Sequence, residues 1–152
     1  MSSPLPAPIL IADDDPDDCL LAREAFSESR IPNRLEFVHD GEQLLDYLHH
    51  RPPYDDARRY PLPGLIVLDL NMPRMDGRTA LRALKDDPQL RQIPVIMLST
   101  SSDAEDIRRS YADGVNSFIS KPASYSGLLE VVRSLSGYWL NTVELPLEPP
   151  PS

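Results

Sequence analysis

The sequence predicts an α/β fold, a doubly wound parallel sheet with helices on both faces, and three observations carry that prediction. Four short runs rich in Ile, Val and Leu, with few polar interruptions, punctuate the chain, and a fifth run is more alternating. Apolar stripes at helical spacing lie between the runs, and helix-opening residues stand at the junctions. Continuous apolar runs mark strands buried on both faces, and their alternation with helices calls for parallel strands joined by right-handed crossovers.

The first run is PILIA, Pro8 to Ala12. Asp15 followed by Pro16 then sets an N-cap with proline at the first helical position, and Cys19, Leu20, Leu21, Ala25 and Phe26 mark one face of the helix it opens. LEFVH, Leu35 to His39, is the alternating run. Asp40-Gly41-Glu42 opens a second helix whose apolar face is Leu44, Leu45 and Leu48. LIVLD, Leu65 to Asp69, is the most apolar run and is expected at the centre of the sheet; Leu81 and Leu84 mark the helix that follows. PVIMLS, Pro94 to Ser99, and NSFIS, Asn116 to Ser120, supply the last two strands, and Leu128, Leu129, Val132 and Leu135 line the closing helix. Prolines bunch at Pro4 to Pro8, in RPPYDDARRYPLPG (Arg51 to Gly64) and in ELPLEPPPS at the end, which predicts two loose termini and one long loop.

At 152 residues the chain is expected to form one domain, and a net charge of −9 argues against a nucleic-acid partner, which needs clustered Lys and Arg. No apolar stretch approaches the roughly 20 residues of a membrane span, and Met1 to Pro8 lacks a signal peptide's basic start and apolar middle, so a cytoplasmic protein with no membrane partner is expected. Cys19 is the single cysteine, which excludes an intramolecular disulfide and reads as a small buried hydrophobe. His39, His49 and His50 have no metal-ligand spacing with a third donor.

In doubly wound sheets ligands bind beyond the carboxyl ends of the strands. Just past those ends stand Asp13 and Asp14, Asp69 with Asn71, Ser99 with Thr100, and Lys121 before Pro122. Like charges about 4 Å apart repel by roughly 4 kcal/mol at an effective dielectric near 20, so three gathered carboxylates call for a cation. Mg²⁺ suits a few carboxylates, a backbone carbonyl and retained waters, and it brings phosphate with it. The Ser99 hydroxyl, a backbone N–H near Thr100 and the Lys121 ammonium would then take the remaining phosphoryl oxygens, with one carboxylate as nucleophile. Asp69, at the floor of the cleft, is the expected nucleophile, and Asp13 and Asp14 the expected ion holders. Each feature alone has an ordinary explanation, DDDPDD as a solvated helix cap and Asp69 or Asp76-Gly77 as turn residues; four matched strand ends together do not.

The set ADDD (Ala12 to Asp15), LIVLDLNMPRMDG (Leu65 to Gly77), PVIMLSTSS (Pro94 to Ser102) and FISKP (Phe118 to Pro122) resembles the receiver domain of two-component response regulators over about residues 8 to 140. The resemblance implies a flavodoxin-like sheet of five strands, ordered 2-1-3-4-5, with five helices. It puts the phospho-acceptor on Asp69, the metal on Asp13, Asp14, Asp69 and the backbone carbonyl of Asn71, and the phosphate-pairing lysine on Lys121. It makes Ser99 the hydroxyl switch and Phe118 the aromatic one, lets Asn71 and Ser101 tune self-dephosphorylation, and implies a cis Lys121–Pro122 bond. Ser99 is commonly Thr in that family and Phe118 often Tyr, so here the aromatic switch rests on ring burial alone.

A single receiver domain over residues 1–143 with a proline-rich tail at 144–152 and no output domain is expected. NRLEFVHDGEQLLDYLHHR, the long loop after it and VVRSLSGYWLNTVELP are similar to the single-domain regulators that partner phytochrome-type sensor histidine kinases. A histidine kinase is the implied partner and homodimerisation the implied output. Val131, Leu135, Tyr138 and Trp139 form an aromatic and aliphatic cluster that either caps the core or faces a second subunit. A second reading is a phosphohydrolase of the haloacid dehalogenase type. It wants a general-acid Asp two residues past the nucleophile, where this chain has Asn71, an amide that cannot donate the proton.

Overall fold

The computed structural model describes residues 7–100 and 103–135. The strands are β1 (Ile9–Ala12), β2 (Leu35–Val38), β3 (Leu65–Leu68), β4 (Val95–Ser99) and β5 (Ser117–Ser120); the helices are α1 (Pro16–Glu28), α2 (Gly41–Leu48), α3 (Gly77–Asp86), α4 (Ala104–Ala112) and α5 (Tyr125–Leu135). All pairings are parallel, in the order β2-β1-β3-β4-β5. The chain leaves β1 toward β2 on one side and returns to β3 on the other, so strand order reverses between β1 and β3, where a crevice forms at the carboxyl ends.

Period-2 alternation divides the apolar residues of the inner strands between two cores. Leu10, Ala12, Ile66 and Leu68 face Leu44, Leu48, Leu81 and Leu84 on one side; Ile9, Ile11, Leu65 and Val67 face Ala25, Phe26, Val132 and Leu135 on the other. β1 and β3 are buried along their whole length, as the continuous runs predict, whereas β2 and β5 are half-buried sheet edges. Asp15, Asp40, Asp76 and Asp103 cap the first four helices through side-chain bonds from the N–H of Asp17, Gln43, Thr79 and Glu105.

Three expectations are corrected or narrowed. Leu20 and Leu21 are 55% and 38% exposed; α1 buries Cys19, Ala25 and Phe26, residues on one stripe of the 3.6-residue period to which Leu20 does not belong. Leu135 is only 6% exposed and belongs to the core between α5 and the sheet, with half-buried Val131 beside it, which is the core-capping one of the two readings of that cluster. The other two residues of that cluster, Tyr138 and Trp139, lie outside the described residues, as does Ser101. Among the described residues the cis peptide is Pro52–Pro53, and Lys121–Pro122 is not cis. The proline-rich loop is pinned to α2: Tyr47, Tyr54 and Tyr60 pack in tilted and edge-to-face contacts with ring centroids 5.1–5.6 Å apart, and the Tyr47 hydroxyl donates to the Pro61 carbonyl at 2.9 Å. No helix among the described residues is long and apolar enough to cross a membrane.

Candidate functional site

Register brings the acids together. Ile9 pairs with Leu35 and Leu65, and Ala12 with Val38 and Leu68, so β1 and β3 end level. The next residue on each continues the ladder, Asp13 N–H donating to the Val38 carbonyl at 3.0 Å and Asp69 N–H to the Ala12 carbonyl at 2.9 Å. Asp13 and Asp69 thus leave adjacent strands side by side, both buried, with Asp14 exposed at the mouth. One carboxylate oxygen from each of the three lies within 4.8 Å of the other two.

Lys121 enters from the far side of the sheet. Its N–H donates to the Ser99 carbonyl at 2.7 Å, tying the residue after β5 to the last residue of β4, where Ser99 is fully buried. The ammonium then meets three carboxylates, Asp18 at 2.8 Å, Asp13 at 2.9 Å and Asp69 at 3.4 Å. Desolvation works against the Lys121 charge, but hydrogen bonds to Asp18 and Asp13 outweigh it and raise its pKa. Burial raises the pKa of Asp69, and repulsion from Asp13 adds to it; the pull of Lys121 and the Asn71 N–H at 3.3 Å does not fully offset them. Both shifts describe one crowded pocket, in which the cation gains from every acid while each acid feels the others. Cys19, buried under the same acids, has its thiol pushed up to about 11, the inert cysteine the sequence predicts.

The acceptor loop after β3 is held by close backbone approaches. A Cβ on Gly77 would lie 2.2 Å from the Asp69 carbonyl oxygen, and Gly77 N–H donates to the Leu70 carbonyl at 2.8 Å, so only glycine fits there. Gly41 N–H donates to the Met75 carbonyl at 3.1 Å, and Arg74, at φ 64°, reaches buried Asp40 with its Nε at 2.9 Å. The α2 N-terminus and the acceptor loop are therefore one unit. Asn71 is exposed two residues past Asp69, and Phe118 is half-buried in β5 against the α2–α3 core, its N–H donating to the Tyr111 hydroxyl at 3.0 Å. The His39 Nδ1 lies 3.1 Å from the Asp13 carbonyl, so it carries the proton and donates. Beside the acids an apolar cleft of about 190 Å³ runs between α1 and α5, with Leu21, Phe26, Leu98, Tyr125 and Leu128 among its walls.

Sequence reasoning brought Asp13, Asp14, Asp69, Ser99 and Lys121 to one end of the sheet, and they meet there. It gave no role to Asp18, which was visible only as one more acid in DDDPDD, nor to the Arg74–Asp40 clamp.

A model of the response regulator receiver domain matches residues 9–133. The chain belongs to this receiver family. Response regulator Rcp1 of Synechocystis is 36% identical over 141 residues, which span 93% of this chain and 94% of Rcp1. The crystal structure of the Mn²⁺-bound form of Rcp1 superposes with a TM-score of 0.84 at 35% identity, covering 93% of this chain and 99% of that one. The phosphorylated cyanobacterial phytochrome response regulator RcpA matches with a TM-score of 0.86 at 39% identity, over 93% and 99% of the two chains. RPA3017, a response regulator in red light signalling of R. palustris, matches at 0.85 and 41%, over 91% and 98%. This receiver domain is thus a two-component signalling module with the five-stranded flavodoxin-like fold, similar to phytochrome response regulators over nearly their full length. The phosphohydrolase reading is not favoured.

Proposed function

We propose that Asp69 accepts a phosphoryl group from a sensor histidine kinase in a Mg²⁺-dependent reaction. The observation that carries this reading is the convergence of the Asp13, Asp14 and Asp69 oxygens within 4.8 Å, with the Lys121 ammonium 3.4 Å from the Asp69 carboxylate. An Asp69 oxygen attacks phosphorus, the bond from phosphorus to the kinase imidazole breaks, and the imidazole nitrogen keeps the electron pair. A hard divalent ion fits the all-oxygen donor set of Asp13, Asp14, Asp69 and the Asn71 carbonyl, and would supply charge neutralisation for the incoming phosphoryl oxygens. The Mn²⁺-bound Rcp1 and the phosphorylated RcpA support both parts of this reading by analogy.

Ser99 and Lys121 take the other phosphoryl oxygens, Phe118 buries further as they move, and Asn71 and Ser101 govern how water reaches the phosphoryl group during self-dephosphorylation. The kinase is of the phytochrome type, a reading supported by the likeness to RcpA, a phytochrome response regulator, and to RPA3017, a response regulator in red light signalling, and it meets this acidic, single-cysteine chain in the cytoplasm. Output is a change in protein binding, with homodimerisation through Val131, Tyr138 and Trp139 as its form.

Intact mass after incubation with acetyl phosphate tests the chemistry. One phosphoryl adduct that requires Mg²⁺ and is absent from Asp69→Asn is expected; an adduct on the Asp69→Asn variant, or none on the native chain, overturns the assignment. Size measurement before and after phosphorylation tests the output, and one unchanged monomer in both states removes the homodimer.

A further inference from the structure

We infer that Asp18 is a positioning residue for Lys121, an anchor that draws the ammonium away from the acceptor and metal-ligand oxygens. The inference rests on the reading of Asp69 as phospho-acceptor. Of the three carboxylates around the ammonium, Asp18 is the nearest at 2.8 Å and Asp69 the farthest at 3.4 Å. Asp18 is also placed differently: it sits in the first turn of α1, its side chain 37% exposed where that of Lys121 is 14% exposed, and it does not belong to the Asp13–Asp14–Asp69 cluster. Asp13 has its other oxygen occupied by the Asp15 N–H at 3.0 Å, and Asp69 has its own taken by the Asn71 N–H. The oxygens that Lys121 contacts on Asp13 and Asp69 belong to the two buried acids proposed to hold the cation, so an ammonium resting fully on them competes with that cation.

Charge-assisted hydrogen bonds are the strong ones, and one ammonium has three protons to divide among its acceptors. Asp18 takes one of those protons outward, toward solvent. With Asp18 present, Lys121 presses less on Asp13 and Asp69, and the cation enters more readily. Once Asp69 carries a phosphoryl group, the same anchor competes for Lys121 and shortens the life of the adduct. Removing Asp18 has opposite consequences for the two events: weaker Mg²⁺ binding and a longer-lived phosphoryl group. A residue that merely supported the start of α1 would not couple either quantity to Lys121.

The test is a double-mutant cycle of native, Asp18→Ala, Lys121→Ala and the double variant, with Asp18→Glu as the conservative rescue. Mg²⁺ affinity is measured by calorimetry, and adduct lifetime by intact mass after acetyl phosphate is removed. Asp18→Ala is expected to weaken Mg²⁺ binding and to lengthen adduct lifetime, each by about two- to fivefold, the range of a partly exposed ion pair. Asp18→Glu should restore native values, and in the Lys121→Ala background removing Asp18 should change neither quantity. Unchanged Mg²⁺ affinity in Asp18→Ala, or the same change with Lys121 absent, overturns the inference. The calorimetric cycle needs no adduct, so a native chain that takes no phosphoryl group would sink the acceptor reading and still leave Asp18 decided.

Discussion

Helices α3 and α4 follow neighbouring strands and have similar lengths, 10 and 9 residues, yet they are held by different physics. α3 buries Ala80, Leu81 and Leu84 in the core, and its first residue, Gly77, lies directly on the Asp69 carbonyl. α4 buries only Ser110, whose hydroxyl donates back to the Asp106 carbonyl at 2.8 Å. Its other ties are polar: Glu105 pairs with Arg108 and Arg109 on the surface, and the Tyr111 hydroxyl accepts the Phe118 N–H. The difference separates two tasks. The acceptor must be preorganised, so it stands on a helix locked by packing; the element beside Ser99 and Phe118 has few buried apolar contacts, the property of segments that rearrange at low cost.

The widest gap between the two helices should appear in core truncations. Leu81→Ala should cost about 2–5 kcal/mol in urea unfolding, whereas Ile107→Ala on α4, half-buried, should cost about 1 kcal/mol; equal losses would remove the distinction. Gly77→Ala comes next, because the colliding atom is backbone: about 1–3 kcal/mol, together with loss of the phosphoryl adduct, since the Asp69 main chain must move. An intact adduct yield there would mean the acceptor loop is less rigid than its contacts imply.

A smaller effect tests the clamp that joins the acceptor loop to α2, and it depends on pH. Burial works to raise the Asp40 pKa, but hydrogen bonds from the Gln43 N–H and the Arg74 guanidinium outweigh it and hold the carboxyl below its ordinary value of 3.8. The folded pKa lies below the unfolded one, so this stabilisation is present above about pH 4 and is lost as pH falls through the lowered value. Asp40→Asn should therefore cost about 1 kcal/mol at pH 7 and progressively less below pH 4, read as the gap between two thermal unfolding curves. The smallest change is Tyr111→Phe, about 0.5–1 kcal/mol, confined to the α4–β5 side. Hydrogen exchange at the Phe118 amide should speed up while exchange at Asp69 stays as it was; acceleration at both would show that the two sides are not separate.

All five strands and the caps of α1 and α2 were legible in the sequence because burial on two faces writes continuous apolar runs, and a helix start writes Asp before Pro or Gly. Helix α4 left no apolar stripe, for the reason that sets it apart in the structure: it buries almost nothing. Leu20 and Leu21 misled because adjacent leucines look like a stripe, while a helix turns about 100° between them and buries Cys19, Ala25 and Phe26 instead. Leu135 was legible as the last member of the α5 stripe, and the structure buries it in the core against the sheet.

The sequence by itself determined the element order, the parallel sheet and the strand ends that carry Asp13, Asp69, Ser99 and Lys121, because hydrophobic period and cap chemistry are local properties of consecutive residues. The tertiary structure alone decided which acids share the ammonium. Asp18 and Lys121 are separated by 103 positions and meet at 2.8 Å, and Arg74 finds Asp40 across 34. Such pairs depend on strand register and on the rotation of α1 about its axis, and no periodicity along the chain encodes either.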